Sequence, residues 1–328
     1  MPNYNGVWSL TTQLQYAADW SADNISPAAL AAGGGGGRAV FEIGVLSSIV
    51  NTMEFTTILT GSTFTDFGDA TVTSQARNSL SSDTRGVTGG GTNSTTNVMD
   101  YVTLASAGNS TDFGDLSRTK HNIMPAASVT RGIFAGGTGT GANEIEYITI
   151  ANTGNVTDFG DLVVDYKGAG GSCQSTTRAL FGGGGPNPYT AIDYVTIAST
   201  GDASDFGDLT DGRFSGMGGG SSNTRGIFYG GNDPEDDYSN IIDFVTIAST
   251  GNATDFGDLL ANKGSLGCGA SNKTAVLNLG GYGAGANIAS ADLIFLASTG
   301  NAVDFGAIST GGASRNSSGM CGSHGGIA

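Results

Sequence analysis

From residue 213 to 259 the chain reads as four short runs of apolar and β-branched residues, at 213–220, 224–231, 241–249 and 253–259, separated by Gly, Asn and Asp. In the second and third runs such residues stand at consecutive positions: Ile227, Phe228 and Tyr229, then Val245, Thr246 and Ile247. Strict alternation would predict a sheet with one wet face, whereas consecutive apolar positions predict strands covered on both faces. Gly230 and Gly231 end the second run and Thr250-Gly251-Asn252 follows the third, so the chain is expected to reverse tightly at both places. No 3.6-residue apolar period runs through this part of the chain, which excludes a helical solenoid.

The same pattern recurs. An Asp-Phe-Gly triplet begins at Asp66, Asp112, Asp158, Asp205, Asp255 and Asp304, in steps of 46, 46, 47, 50 and 49 residues. A basic residue keeps pace with it at Arg38, Arg85, Arg131, Arg178, Arg225 and Lys273. Four strands in roughly 47 residues, copied six times, predict a six-bladed β-propeller with four-stranded blades. Residues 314–323 match the first run of a copy with no strands after them, while residues 38–44 begin directly at a second run. The C-terminal strand is therefore expected to complete the blade begun by residues 38–72, removing exposed sheet edges. The expected organisation is an N-terminal attachment or rim segment, 1–30, followed by the propeller, 31–328.

Composition narrows the reading. Gly and Pro together make 62 of 328 residues, below the level of a disordered low-complexity chain, and 15 Phe and 10 Tyr are enough for a packed core. The net charge of −16 repels polyanions, so nucleic acid and acidic membranes are disfavoured as partners. The chain shows no basic-then-apolar leader and no apolar run near the roughly 18 residues of a membrane span. Cys173, Cys268 and Cys321 fall at near-equivalent repeat positions, too far apart for a disulfide, and are expected to be small buried thiols in a protein folded in a reducing cytoplasm. Asn109, Asn155 and Asn252 are expected in turns.

The Gly-rich first strand, the second strand ending in a Gly pair, the third-strand aromatics Tyr101, Tyr147, Tyr194 and Phe244, and the fourth-strand Phe together resemble the kelch-repeat family, which implies a propeller fold. The repeated wording Thr-Arg-Gly-Ile-Phe, Asp-Tyr-Val-Thr-Ile-Ala-Ser-Thr-Gly and Asp-Phe-Gly-Asp-Leu, with the opening residues 6–15, resembles virion proteins of marine bacteriophages, cyanophages especially. That resemblance implies a non-enzymatic structural or host-recognition part of a phage particle, made in the host cytoplasm and oligomeric in the virion. A tail-fibre or tail-tip adhesin is the expected role. A capsid-decorating or assembly protein is the alternative, and a glycan-degrading enzyme a third.

Candidate chemistry is sparse. The Asp-Phe-Gly triplet occurs six times without the other kinase motifs, so it is expected to be a core Phe between turn-making Asp and Gly. The run Gly33–Gly37 leads into Arg38 on a strand, not into a phosphate-binding helix. His121 and His324 lack a second metal ligand at suitable spacing, and neither a resident metal nor a cofactor is expected. An acidic insertion between second and third strands stands apart: Asp233, Glu235, Asp236, Asp237 and Tyr238, with a milder one ending in Tyr189. Insertions on one face of a propeller are where binding is found, so these residues are the candidate contacts for a host glycan or protein, with Ca²⁺ the one ion they suit. The recurring Arg is expected to pair with a carboxylate of a neighbouring blade, for which the second Asp of Asp-Phe-Gly-Asp is available. Trp8, Leu10, Leu14, Tyr16 and Trp20 are apolar anchors on a segment too short for its own core; they are expected to cover the propeller rim or dock on other virion proteins.

Overall fold

The computed structural model describes residues 37–322 apart from 60, 62, 94–95, 139–141, 165–167, 186–188, 234–237, 268 and 308–312. Among the described residues there is no helix, and each sequence copy forms one four-stranded antiparallel sheet. Blade 5 is representative: Gly218–Ser221, Arg225–Tyr229, Ile241–Thr246 and Thr254–Asp258 are hydrogen-bonded in that order. In blade 1 the first strand is Ser318–Cys321 from the end of the chain, paired with Arg38–Glu42 and followed by Thr52–Thr57 and Thr65–Asp69. The first strands of successive blades touch round the axis, and that of blade 6 touches that of blade 1, so the ring closes. The chain is a six-bladed β-propeller.

Six blades make six joints, and each joint holds its own apolar cluster. This explains the consecutive apolar positions: in second strands such as Arg225–Tyr229 every residue after the Arg is buried, because both sheet faces meet another blade. Near the axis the first strands are built from small residues and converge on a cavity of about 30 Å³ lined by all six blades, Ser79, Ser172 and Ser271 among its residues. That volume suits a water or two and no larger ligand.

The Asp-Phe-Gly triplet lies inside the fourth strand, as the repeat pattern predicts, but its Asp and Gly do not make a turn there. In all six blades it forms a β-bulge, with the Phe as the extra residue and the register shifting opposite it. The Phe is buried in blades 1 to 5 and half-buried in blade 6, and the Gly lets the next blade approach. In the joint between blades 1 and 2, Gly68 has φ +141° and an added Cβ would lie 2.5 Å from the backbone of Gly108. The turn of the next blade is latched there by Gly108 N–H to Phe67 O (2.7 Å), Ser110 N–H to Asp69 O (2.8 Å) and Asp69 N–H to Asn109 Oδ1 (3.0 Å). The same latch recurs at four further joints through Asn155, Asp202, Asn252 and Asn301.

The recurring Arg is a second clasp, with a different partner from the one expected. Its guanidinium stacks on the third-strand aromatic of its own blade, as Arg85 does on Tyr101 at 4.2 Å, and donates to a main-chain carbonyl of the next blade, as Arg85 does to Ile150 O at 2.9 Å. Arg38, Arg131, Arg178 and Arg225 do the same, so the charge is met by carbonyls and a ring face in place of the expected carboxylate. Lys273 is not the sixth member. Ala275 pairs with Phe295 as Arg225 pairs with Thr246, so Ala275 holds the Arg position and Lys273 lies in the preceding turn. The joint between blades 6 and 1 is held instead by apolar packing, including Phe64 against Phe41 and Phe305.

Candidate recognition face

The blade topology separates the loops into two sets. Turns joining first to second and third to fourth strands lie on one face; loops joining second to third strands, and linkers between blades, lie on the other. The first set is short and nearly uniform, because its turns form the latches. The second is free to vary, and its elaborations fall on three consecutive blades. In blade 4 the outer ribbon is lengthened to Tyr189–Thr196 and Ser204–Arg213. Blade 5 carries the acidic insertion. Blade 6 adds a two-stranded hairpin, Tyr282–Gly283 with Ala286–Asn287, which sequence reading missed because its strands are only two residues long.

Of the acidic insertion, Asp233 and Tyr238 are described and both are half-buried; Glu235, Asp236 and Asp237 lie outside the described residues. Tyr238 meets Tyr282 edge to face at 5.9 Å, and the guanidinium of Arg315 lies 5.0 Å from the Tyr282 ring centre. Asn232 is bridged to Phe214 by reciprocal main-chain bonds of 2.9 Å, which fixes the start of the insertion against the blade linker. Tyr189 stands on blade 4 opposite Arg213, and only its backbone is described. Tyr238 is thus joined by Tyr282 and Arg315, two contributors not anticipated from the sequence. Among the described residues no group of three His, Cys, Asp or Glu is placed to hold a metal. Trp8, Leu10, Leu14 and Trp20 lie outside the described residues, as do Cys268 and His324; Cys173 and Cys321 are buried.

Beneath this face runs a layer of buried charge. An acidic residue stands twelve positions before each Asp-Phe-Gly: Glu54, Asp100, Glu146, Asp193, Asp243 and Asp292. A basic residue precedes each first strand: Arg77, Lys120, Lys167, Arg213, Lys263 and Arg315. Arg77 bonds Glu42 at 2.8 Å and Asp100 at 3.0 Å, tying blade 1 to blade 2. Lys120 pairs with Glu146, Arg213 with Asp243 and Lys263 with Asp292. Burial pushes the Asp243 carboxyl up and the Arg213 guanidinium down from their ordinary values, each opposed by the other's charge. The period of these residues was available in the sequence, but charges are expected outside a core, and nothing local marks them as buried.

This layer alters the meaning of the composition. Of 13 Lys and Arg, five clasp joints and four, Arg77, Lys120, Arg213 and Lys263, are seen in the buried ion pairs; Arg315 is half-buried against Tyr282, and Lys167 lies outside the described residues. Arg118 pairs with Glu144. Among the described residues, nine of the cations therefore serve the ring.

No protein-family model matches the chain, and no curated protein sequence matches it. The functional reading therefore rests on the molecule's own geometry and on the wording of its repeats.

Proposed function

We propose that the protein is a non-enzymatic structural component of a bacteriophage particle that recognises the host surface at a tail fibre or tail tip. What carries the reading is the contrast between the two faces. One face is uniform and fixed by latches, while loop elaborations concentrate on blades 4, 5 and 6 of the other. A rigid scaffold presenting variable loops is the arrangement that binding proteins use. The closed axis supports it further, since the centre of the ring leaves no room for a substrate. Residues 1–30 are the proposed attachment to other virion proteins, and a host glycan or protein is the proposed ligand of Asp233, Tyr238 and Tyr282.

The test joins imaging with adsorption. Electron cryomicroscopy of purified particles should place a six-bladed disc at the distal tail, and isolated protein should adsorb to host cells and block infection. Tyr282→Ala should weaken adsorption without altering the melting temperature of the ring. Density on the capsid lattice with no adsorption would make this a decoration protein, and absence from the particle would end the virion reading.

A further inference from the structure

A pocket of about 340 Å³ opens on the short-turn face between blades 5 and 6, away from the elaborated loops. Its residues include Asn223, Thr224, Arg225, Lys273, Thr274 and Leu296, with no Asp or Glu among its lining. Two cations therefore meet in one concavity of a chain whose net charge is −16.

The two are held differently. Arg225 is fixed: its guanidinium lies 4.8 Å from the ring centre of Phe244, and one nitrogen donates to Leu296 O at 2.6 Å. A guanidinium has five N–H groups, so this clasp leaves donors over. Lys273 is exposed, and among the described residues it makes no ion pair or hydrogen bond. Its position is matched by Asn223 in blade 5, Thr176 in blade 4, Val129 in blade 3 and Asp83 in blade 2. Only this joint adds a second positive charge to the recurring Arg. The surrounding hydroxyls and amide suit a polyhydroxylated ligand, and the volume suits one sugar ring.

We propose that this pocket binds a carboxylated sugar, a hexuronate unit, with its carboxylate between Lys273 and Arg225 and its hydroxyls on Thr224, Thr274 and Asn223. Salt screens the distant acids of the chain, since the Debye length is about 8 Å at physiological ionic strength. The pocket is shallow and the ligand small, so affinity is on the order of millimolar. The site is independent of the proposed virion role, because it lies on the opposite face from Asp233, Tyr238 and Tyr282.

Titrating the full chain with glucuronate, followed by NMR shifts, tests the site against glucose as the neutral analogue and inorganic sulfate as the bare anion. Saturable glucuronate binding is expected, with no response to glucose and a weaker one to sulfate. Lys273→Gln, an exposed change that leaves the melting temperature intact, should raise the glucuronate Kd about tenfold. Glucose binding equal to glucuronate, or a Kd indifferent to Lys273→Gln, would overturn the site. Sulfate binding as tightly as glucuronate would overturn the sugar-acid assignment.

Discussion

Arg213 and Asp243 meet as an ion pair from which solvent is wholly excluded on both sides. Arg213 reaches it from the end of the lengthened fourth strand of blade 4, and Asp243 from the third strand of blade 5, with the Thr210 hydroxyl donating to the same carboxylate. The pair is a tie between chain segments as well as a pair of charges.

Removing one partner leaves the other buried and uncompensated. Asp243→Ala is expected to cost about 3–5 kcal/mol in urea unfolding. Asp255→Ala, at its exposed cross-strand neighbour, should cost less than about 0.5 kcal/mol. Replacing both members, Arg213→Met with Asp243→Leu, should recover most of the loss. A single Asp243→Ala variant as stable as the parent would show that the charge layer is not structural.

The latch between blades makes a sharper contrast, because two glycines face each other across it. An added Cβ at Gly68 would meet the Gly108 main chain at 2.5 Å, and the φ of +141° is strained for any other residue. A Cβ at Gly108 would meet nothing within 4 Å. Gly68→Ala should therefore cost about 2–4 kcal/mol and Gly108→Ala less than about 0.5 kcal/mol, read from denaturant midpoints. Equal costs would mean that the close approach at the bulge is not what the glycine serves.

Much of this architecture was legible beforehand, for a physical reason. A propeller repeats its contacts, so any residue that a joint requires must recur at the repeat spacing. The periods of Asp66 and Arg38 and the unpaired ends at residues 38–44 and 314–323 sufficed for blade number and closure. What failed was the assignment of partners. Arg85 looked like half of a salt bridge, but its partner is a main-chain carbonyl, and carbonyls leave no trace in sequence. Lys273 looked like a sixth arginine because its spacing is nearly right, and only the pairing of Ala275 with Phe295 shows that it is displaced. The recognition face was half legible: the acidic insertion stood out by composition, while Tyr282 and Arg315 reach it through a hairpin and a chain end distant in sequence.

Closure by the last strand predicts how the ring fails. Met320 and Cys321 are buried at the first-strand position of blade 1, and Ser79 N–H donates to Ser318 Oγ at 2.7 Å across to blade 2. Met320→Ala should cost about 2–5 kcal/mol, as core truncations do. Deleting residues 314–328 removes the strand itself and exposes the edge of Arg38–Glu42, so loss of near-ultraviolet dichroism and self-association on gel filtration are expected. A monomeric, cooperatively folded deletion variant would show that the ring does not depend on this strand.

His121 gives the ring a pH dependence of definite sign. It lies in the linker before the first strand of blade 3, where its main-chain carbonyl accepts from Thr138 N–H at 2.8 Å. Partial burial holds its imidazole below the ordinary value of 6.5, because desolvation penalises the charged ring. The unfolded chain therefore takes up a proton more readily than the native ring as pH falls below 6.5. This contribution to stability is complete above that value and is lost as pH drops through the depressed native value. Unfolding midpoints measured at about pH 7.5 and about pH 5 should differ more for the parent than for His121→Gln, which cannot titrate. Carboxylates affect both proteins alike over this range, so the difference between the two isolates the imidazole. If parent and variant lose the same stability on acidification, His121 is not desolvated in the folded ring.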